Sequence, residues 1–170
     1  MKDELGDRMK SNYEDRTRVY LNRRTYTIIR IDGKSFHTYT KGFKRPFDDD
    51  LMDDMDATAQ YLCKNIEGAK LAFVQSDEIS ILLTDFDTIK TQAWFDNNLQ
   101  KMVSISASLA TSIFNQLRLI RKCENVSFKI NDEIISSPPV IGVNDILNTR
   151  LAHFDSRVFQ IAQKYEVENY

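Results

Sequence analysis

Two short acidic motifs carry most of the chemical information in this chain of 170 residues. Residues 30–33 (R-I-D-G) end one apolar, β-branched run, and residues 75–78 (Q-S-D-E) lie between two more such runs. If the strands are neighbours, Asp32 and Asp77 meet side by side at one edge of a sheet. Carboxylates that close repel each other unless divalent cations lie between them. The pattern therefore predicts a two-metal site of the kind used for phosphoryl or nucleotidyl transfer.

Each acidic motif also has a purely structural explanation. Asp32 could begin a turn with Gly33, and Asp77 with Glu78 could lie at a hairpin tip. The neighbouring strands favour the metal site, and Gly33, which lacks a Cβ, allows its carbonyl to approach a cation or phosphate closely. Glu78 follows Asp77 directly and should point the other way in extended backbone, which indicates a supporting role rather than direct coordination.

The loop after the first motif is basic and aromatic. Lys34 and Arg45 lie at its two ends, and these cations could bind triphosphate oxygens while Phe36 or His37 stacks on a base. A solvated basic loop held by its aromatic residues explains the same composition, and both interpretations stay open. Lys101, on a later helix, could reach a phosphate across the sheet or be simply solvated.

Two charged segments have simpler explanations. The acidic run at residues 48–56 lacks the glycine and the terminal glutamate of an EF-hand, and carboxylates are favoured near a helix N-terminus. Arg118, Arg121 and Lys122 form a small basic cluster that either contacts RNA or is solvated.

Composition indicates one cytoplasmic domain. The apolar content of 42%, the charged content of 28% and a net charge of -2 are those of an ordinary globular protein, with no global basic field for nucleic acid. Cys63 and Cys123 lack metal-ligand spacing, which favours reduced thiols. No leader or membrane-spanning stretch is evident, so we expect a cytosolic protein with no membrane partner.

Hydrophobic periodicity predicts an α+β fold. The predicted elements are a polar surface helix within 3–24, a strand over 25–32, a helix beginning near 48–50, a hairpin of strands 70–75 and 79–84, a helix over 91–118, a strand over 126–130 turning at 131–132, a loop over 136–140 and a last strand at 157–159. The order β-α-β-β-α-β is typical of a ferredoxin-like palm, an antiparallel sheet with two helices packed on one face. Polymerases and nucleotide cyclases both use this palm, so the fold alone does not determine the function.

Several motifs together resemble the tRNA-histidine guanylyltransferase superfamily. They are L-G-D-R-M-K at residues 5–10, R-I-D-G-K-S-F-H at 30–37, P-F-D at 46–48, Q-S-D-E-I-S at 75–80, Q-K-M-V-S at 100–104, F-D-S-R-V-F at 154–159 and E-V-E-N-Y at 166–170. The residues of these motifs are most similar to those of the guanylyltransferase-like branch, the template-dependent reverse (3′-5′) polymerases. The resemblance runs nearly end to end.

The resemblance implies an enzyme that adds nucleotides to the 5′ end of tRNA. A 5′-monophosphate is first activated by ATP or GTP, and the 3′-hydroxyl of the incoming nucleoside triphosphate then attacks the activated phosphate. It also implies a homo-oligomer, commonly a tetramer. Family members continue past the E-N-Y match, so residues 1–170 are expected to form a single palm-like catalytic domain without the C-terminal helical region.

The same resemblance assigns roles to individual residues. Asp32 and Asp77 should bridge two Mg²⁺ ions, with the Gly33 carbonyl completing one coordination shell, and Glu78 matches a functionally important acidic position. The positions that match nucleotide-binding or phosphate-binding residues of the family are Lys34, Ser35, Phe36, His37, Arg45, Ser76 and Lys101. Two alternatives remain, a cyclase-like palm acting on a free nucleotide and a non-catalytic palm that binds nucleotide or RNA.

Overall fold

The computed structural model describes residues 3–124, 128–130, 133–135 and 148–170. The strands are β1 (Tyr26–Gly33), β2 (Ala69–Gln75), β3 (Glu78–Leu83), β4 (Phe128–Ile130), β5 (Glu133–Ile135) and β6 (Phe154–Ile161), and the helices are α1 (Glu4–Met9), α2 (Phe36–Tyr39), α3 (Asp49–Asn65), α4 (Leu99–Glu124) and α5 (Lys164–Asn169). In this part of the chain four strands form an antiparallel sheet in the order β2-β3-β1-β6. The predicted ferredoxin-like α+β layout is confirmed.

The core lies between one face of the sheet and the two long helices, α3 and α4. Side chains alternate along a strand, so β1 and β3 each direct every second residue toward the helices. The largest fully buried hydrophobic side chains of this layer are Ile29, Ile31, Ile79 and Ile81 from the strands and Met55, Leu62, Met102 and Phe114 from the helices. The other face of the sheet carries no long helix among the described residues, and the acidic motifs lie at one end of that open face.

Three predicted elements differ from the structure. The N-terminal helix is short, because α1 ends at Met9 and gives way to a π turn (Lys10–Glu14) and a 3₁₀ turn (Asp15–Thr17). The helix predicted over 91–118 begins only at Leu99, since the three residues before Asn98 have positive φ angles and Asn98 caps the new helix through the N–H of Lys101 at 3.1 Å. The last strand has eight residues rather than three.

The strand predicted over 126–130 is confirmed over Phe128–Ile130, and residues 126–127 lie outside the described residues. Strands β4 and β5 pair antiparallel, with Ile130 opposite Glu133. The predicted turn at 131–132 and the predicted loop at 136–140 lie outside the described residues.

Opposite charges connect α3 to α4. The carboxylate of Asp54, 2% exposed, accepts a hydrogen bond from Nη1 of Arg118 at 2.9 Å and from Nη2 of Arg121 at 2.8 Å. The Asp48 carboxylate caps α3 by accepting from the N–H of Leu51 at 3.0 Å. The acidic run and two residues of the basic cluster are therefore partners within the fold. Within the described residues, no helix is both long and apolar enough to cross a bilayer.

Candidate active site

The two acidic motifs meet at the same end of neighbouring strands. In the β1–β3 pairing Asp32 lies directly opposite Glu78, and the N–H of Gly33 donates a hydrogen bond to the carbonyl of Asp77 at 3.1 Å. The sheet therefore places Asp32 and Asp77 at adjoining strand ends. The site is therefore built where β1 ends and β3 begins.

A tight hairpin places Asp77 beside the end of β1. Gln75 pairs with Glu78, so Ser76 and Asp77 form a two-residue connection between β2 and β3. Ser76 has a φ of 57°, the left-handed conformation that such short connections need. Its hydroxyl lies 3.1 Å from Oδ1 of Asp77 and donates to that carboxylate. Ser76 thus supplies the backbone conformation of the turn and a hydrogen bond to the Asp77 carboxylate.

The expectation that Glu78 points away from the site is wrong. Residues directly opposite each other in an antiparallel pair lie on the same face of the sheet, so Glu78 shares the open face with Asp32. Asp77 lies in the turn, so the alternation of side chains along a strand does not apply between Asp77 and Glu78. The carboxylate of Glu78 accepts a hydrogen bond from Nη2 of Arg30, which also lies on this face.

Two charged residues of β6 lie beside Asp32 and affect its charge state. Asp155 lies opposite Asp32 in the β1–β6 pairing, and Nη2 of Arg157 is 3.3 Å from Oδ2 of Asp32. Partial burial is the largest cause that raises the pKa of Asp32; the charges of Asp155, Asp77 and Glu78 add to it, and Arg157 opposes them. The F-D-S-R-V-F motif contains both β6 residues, but sequence reasoning did not place them at the site because their strand pairing was not known.

This excess of carboxylate charge fits a divalent cation. Carboxylate and carbonyl oxygens are the hard ligands that Mg²⁺ prefers. Partial burial first, and then the neighbouring carboxylates, raise the pKa of Asp32, and a cation would offset the charge of those carboxylates. Among the described residues, no three His, Cys, Asp or Glu side chains already form a metal-binding group. Mg²⁺ commonly binds through one or two carboxylates together with substrate phosphates and water, so Asp32 and Asp77 suffice as protein carboxylates.

Gly33 has a packing role that the sequence did not reveal. A Cβ on Gly33 would lie 2.2 Å from Cδ2 of Phe36. The ring of Phe36 is 6% exposed and packs against Phe114 and Phe154 at centroid distances of 5.8 and 5.3 Å. The proposed stacking of Phe36 on a base is therefore wrong for this structure, since its ring is part of the core. His37 is exposed and is the aromatic side chain still available there.

The loop after β1 presents its polar groups beside the carboxylates. The N–H of Lys34 donates to the carbonyl of His153 at 2.8 Å, while its side chain is exposed. Ser35 has a φ of 53° and its carbonyl accepts from the N–H of Thr38 at 2.9 Å, which starts α2. Lys34, Ser35 and His37 thus follow Asp32 directly on an exposed turn.

Two further predicted phosphate-binding residues lie farther along the chain. Arg45 is exposed at the far end of the loop, before α3. Lys101 lies in the first turn of α4, on the helix-covered side of the sheet, with its Nζ 5.8 Å from the ring centroid of Phe95. The structure does not bring Lys101 to the open face on which Asp32 lies.

Comparisons with known proteins agree with this fold. The family described as tRNAHis guanylyltransferase (Thg1) matches residues 6–162. A bacterial tRNA(His) guanylyltransferase-like protein, solved in complex with GTP, superposes with a TM-score of 0.77 and 45% identity over 99% of this chain and 63% of that one. Its complex with ATP gives the same TM-score, with 44% identity over 98% of this chain and 61% of that one.

The curated relatives are longer than this chain. The tRNA(His) guanylyltransferase of Schizosaccharomyces pombe is 36% identical over 92 residues, which are 53% of this chain and 33% of that enzyme. The chain therefore spans less than two thirds of each of these relatives. Because the family match covers nearly all of residues 1–170, including both acidic motifs, the chain belongs to the tRNAHis guanylyltransferase family.

Proposed function

We propose that this protein is a nucleotidyltransferase that adds nucleotides to the 5′ end of tRNA in the 3′-5′ direction. The observation that carries the proposal is the meeting of Asp32 with Asp77 and Glu78 at adjoining strand ends, in a chain that belongs to this family. The complexes of the bacterial relative with GTP and with ATP support nucleoside triphosphates as substrates.

The proposed reaction has two steps at one site. A 5′-monophosphate attacks the α-phosphate of ATP or GTP, so that the RNA end becomes activated and pyrophosphate leaves. The 3′-hydroxyl of the incoming nucleotide then forms a bond to the activated 5′-phosphate, loses its proton and expels the nucleoside monophosphate. When the RNA already carries a 5′-triphosphate, pyrophosphate is the leaving group. Both steps are in-line displacements at phosphorus and need the same charge neutralisation.

The residues of the site have matching roles in this proposal. Asp32, Asp77 and the Gly33 carbonyl would hold two Mg²⁺ ions, whose chemistry is to lower the pKa of the attacking hydroxyl and offset phosphate charge. Lys34, directly after Gly33, would neutralise a triphosphate oxygen. The exposed side chain of His37 is available to contact the base or sugar.

A transfer assay tests the proposal. The wild-type chain is incubated with Mg²⁺, ATP, GTP and a labelled tRNA that lacks its first 5′ nucleotides, and products are resolved on a sequencing gel. We expect a ladder that grows at the 5′ end. Asp32→Ala and Asp77→Ala should abolish it, while Asp53→Ala should not, because Asp53 is 71% exposed on α3 and distant from the open face.

Other products would point to other functions. Cyclic nucleotide formed without RNA would favour a cyclase-like palm, and nucleotide binding without any product would favour a non-catalytic binding protein. Unchanged transfer in both aspartate variants would refute the metal assignment. The cytoplasmic location and the homotetramer stay predictions, and light scattering after size-exclusion chromatography tests the second.

A further inference from the structure

A chain of polar contacts runs from the site along the open face of the sheet. Arg30 of β1 donates from Nη2 to the carboxylate of Glu78 and from Nη1 to the hydroxyl of Tyr170 at 3.0 Å. Tyr170 directly follows α5 and is far from both acidic motifs in the sequence. One guanidinium therefore joins the residue opposite Asp32 to a tyrosine beyond the sheet.

Tyr170 is 46% exposed, and its ring makes two contacts with the sheet. Its ring meets the ring of Phe159 edge-on, with centroids 5.3 Å apart and an interplanar angle of 75°. The guanidinium of Arg30 lies 5.9 Å from the centroid of the tyrosine ring, within the range of a cation–π contact. Because Phe159 belongs to β6, the tyrosine holds Arg30 in place relative to the sheet.

Arg30 needs such a partner to stay on Glu78. Its side chain is 31% exposed, and its Nε is buried without a hydrogen-bond partner among the described residues. Arg30 and Asp32 are two positions apart on one strand, so their side chains project from the same face. A released guanidinium could turn toward Asp32, as Arg157 already does at 3.3 Å. Arg30 would then no longer hold the Glu78 carboxylate, and its positive charge would occupy the position beside Asp32 where a metal cation is needed.

We propose that Tyr170 and Arg30 are positioning residues that hold the Glu78 carboxylate at the candidate active site. The inference rests on the proposed function, since Glu78 matters only if the carboxylates act on phosphates. Tyr170 acts on the reaction through Arg30, and Arg30 acts through Glu78. The hydroxyl of Tyr170 supplies the hydrogen bond, while its ring supplies packing that a phenylalanine would keep.

The test removes that hydroxyl alone. Tyr170→Phe is compared with Tyr165→Phe, the same substitution on α5 at a tyrosine that is 56% exposed. Loss of one hydrogen bond at this partly exposed position predicts that Tyr170→Phe lowers kcat about five- to tenfold. The KM for the nucleoside triphosphate should change by less than about twofold, because ground-state binding is retained. Tyr165→Phe should match the wild type.

A double-mutant cycle shows whether the effect passes through Glu78. In a Glu78→Gln background, Tyr170→Phe should change kcat by less than about twofold, since the group that it positions is already altered. Arg30→Lys keeps the positive charge but loses the planar guanidinium whose two separate nitrogens reach Glu78 and Tyr170, so it should resemble Tyr170→Phe. Independent, multiplying effects of the Tyr170 and Glu78 substitutions would overturn the proposal.

A crystal structure of Tyr170→Phe gives a second measurement that needs no activity. We expect the Arg30–Glu78 contact to be broken or the Glu78 carboxylate to be displaced. An unchanged contact, or equal behaviour of the Tyr170 and Tyr165 variants, would overturn the inference. If the wild type makes no 5′ product but Glu78 moves in the variant crystal, the proposed function fails and the positioning contact stands.

Discussion

The ion pair between α3 and α4 allows a prediction whose size follows from burial. Asp54 is 2% exposed and pairs with Arg118 and Arg121, which are 22% and 29% exposed. Removing one member of a buried pair costs about 3–5 kcal/mol when the remaining charge stays dehydrated. Here the arginines can regain water, so we expect Asp54→Asn to lower the free energy of unfolding by about 2–3 kcal/mol. For a protein of this size that lowers Tm by about 4–12 °C.

A second carboxylate bound by Arg121 provides a matched control. Asp50 lies one turn before Asp54 on α3 and is 3.1 Å from Nη1 of Arg121, but it is 54% exposed. An exposed pair contributes about 0–1 kcal/mol, so Asp50→Asn should leave Tm nearly unchanged.

Urea titration and thermal melting followed by circular dichroism measure both variants against the wild type. Equal losses of unfolding free energy for Asp54→Asn and Asp50→Asn would show that burial does not set the cost of losing the ion pair. Wild-type stability of Asp54→Asn would show that the pair does not stabilise the packing of α3 on α4. Salt dependence is a further check. Raising the ionic strength should weaken the contribution of Asp50 and leave that of Asp54 largely intact, because buried pairs are screened less.

Three further predictions concern the site. Partial burial, followed by the charges of Asp155 and Asp77, raises the pKa of Asp32 in the folded state above its ordinary value of 3.8. The free energy of unfolding should therefore fall as the pH rises from 3.8 through the folded-state pKa. Asp32→Asn should therefore melt at a higher temperature than the wild type at pH 7 while losing transfer. Gly33→Ala should cost about 1–3 kcal/mol in urea unfolding, because its Cβ would overlap the Phe36 ring. Arg157→Gln should tighten Mn²⁺ binding about two- to fivefold by calorimetry, since it frees Asp32 from an exposed ion pair.

Each of these has an outcome that contradicts it. An Asp32→Asn melting temperature at or below that of the wild type would contradict the electrostatic strain at the site. Wild-type stability of Gly33→Ala would mean that Phe36 is not packed on the glycine. Weaker Mn²⁺ binding in Arg157→Gln would mean that the arginine supports the cation site rather than competing with it.

The sequence by itself determined the strands β1, β2 and β3 and the two acidic motifs. Apolar runs of β-branched residues predicted β1, β2 and β3, and the hairpin residues Ser76 and Asp77 predicted that β2 and β3 are neighbours. These signals are local, since strand propensity, turn chemistry and side-chain alternation depend on residues within a few positions of one another. The order of elements then restricted the topology enough to bring Asp32 beside Asp77.

Only the tertiary structure decided which side chains share the site. The pairing of β1 with β6 places Asp155 and Arg157 beside Asp32, and the pairing with β3 turns Glu78 to the same face. Packing against Phe114 and Phe154 draws the Phe36 ring into the core, away from any base. Such neighbours are set by strand register and by the order of strands in the sheet. A shift of one residue would exchange the faces, and no local pattern in the chain encodes the partner across the strand.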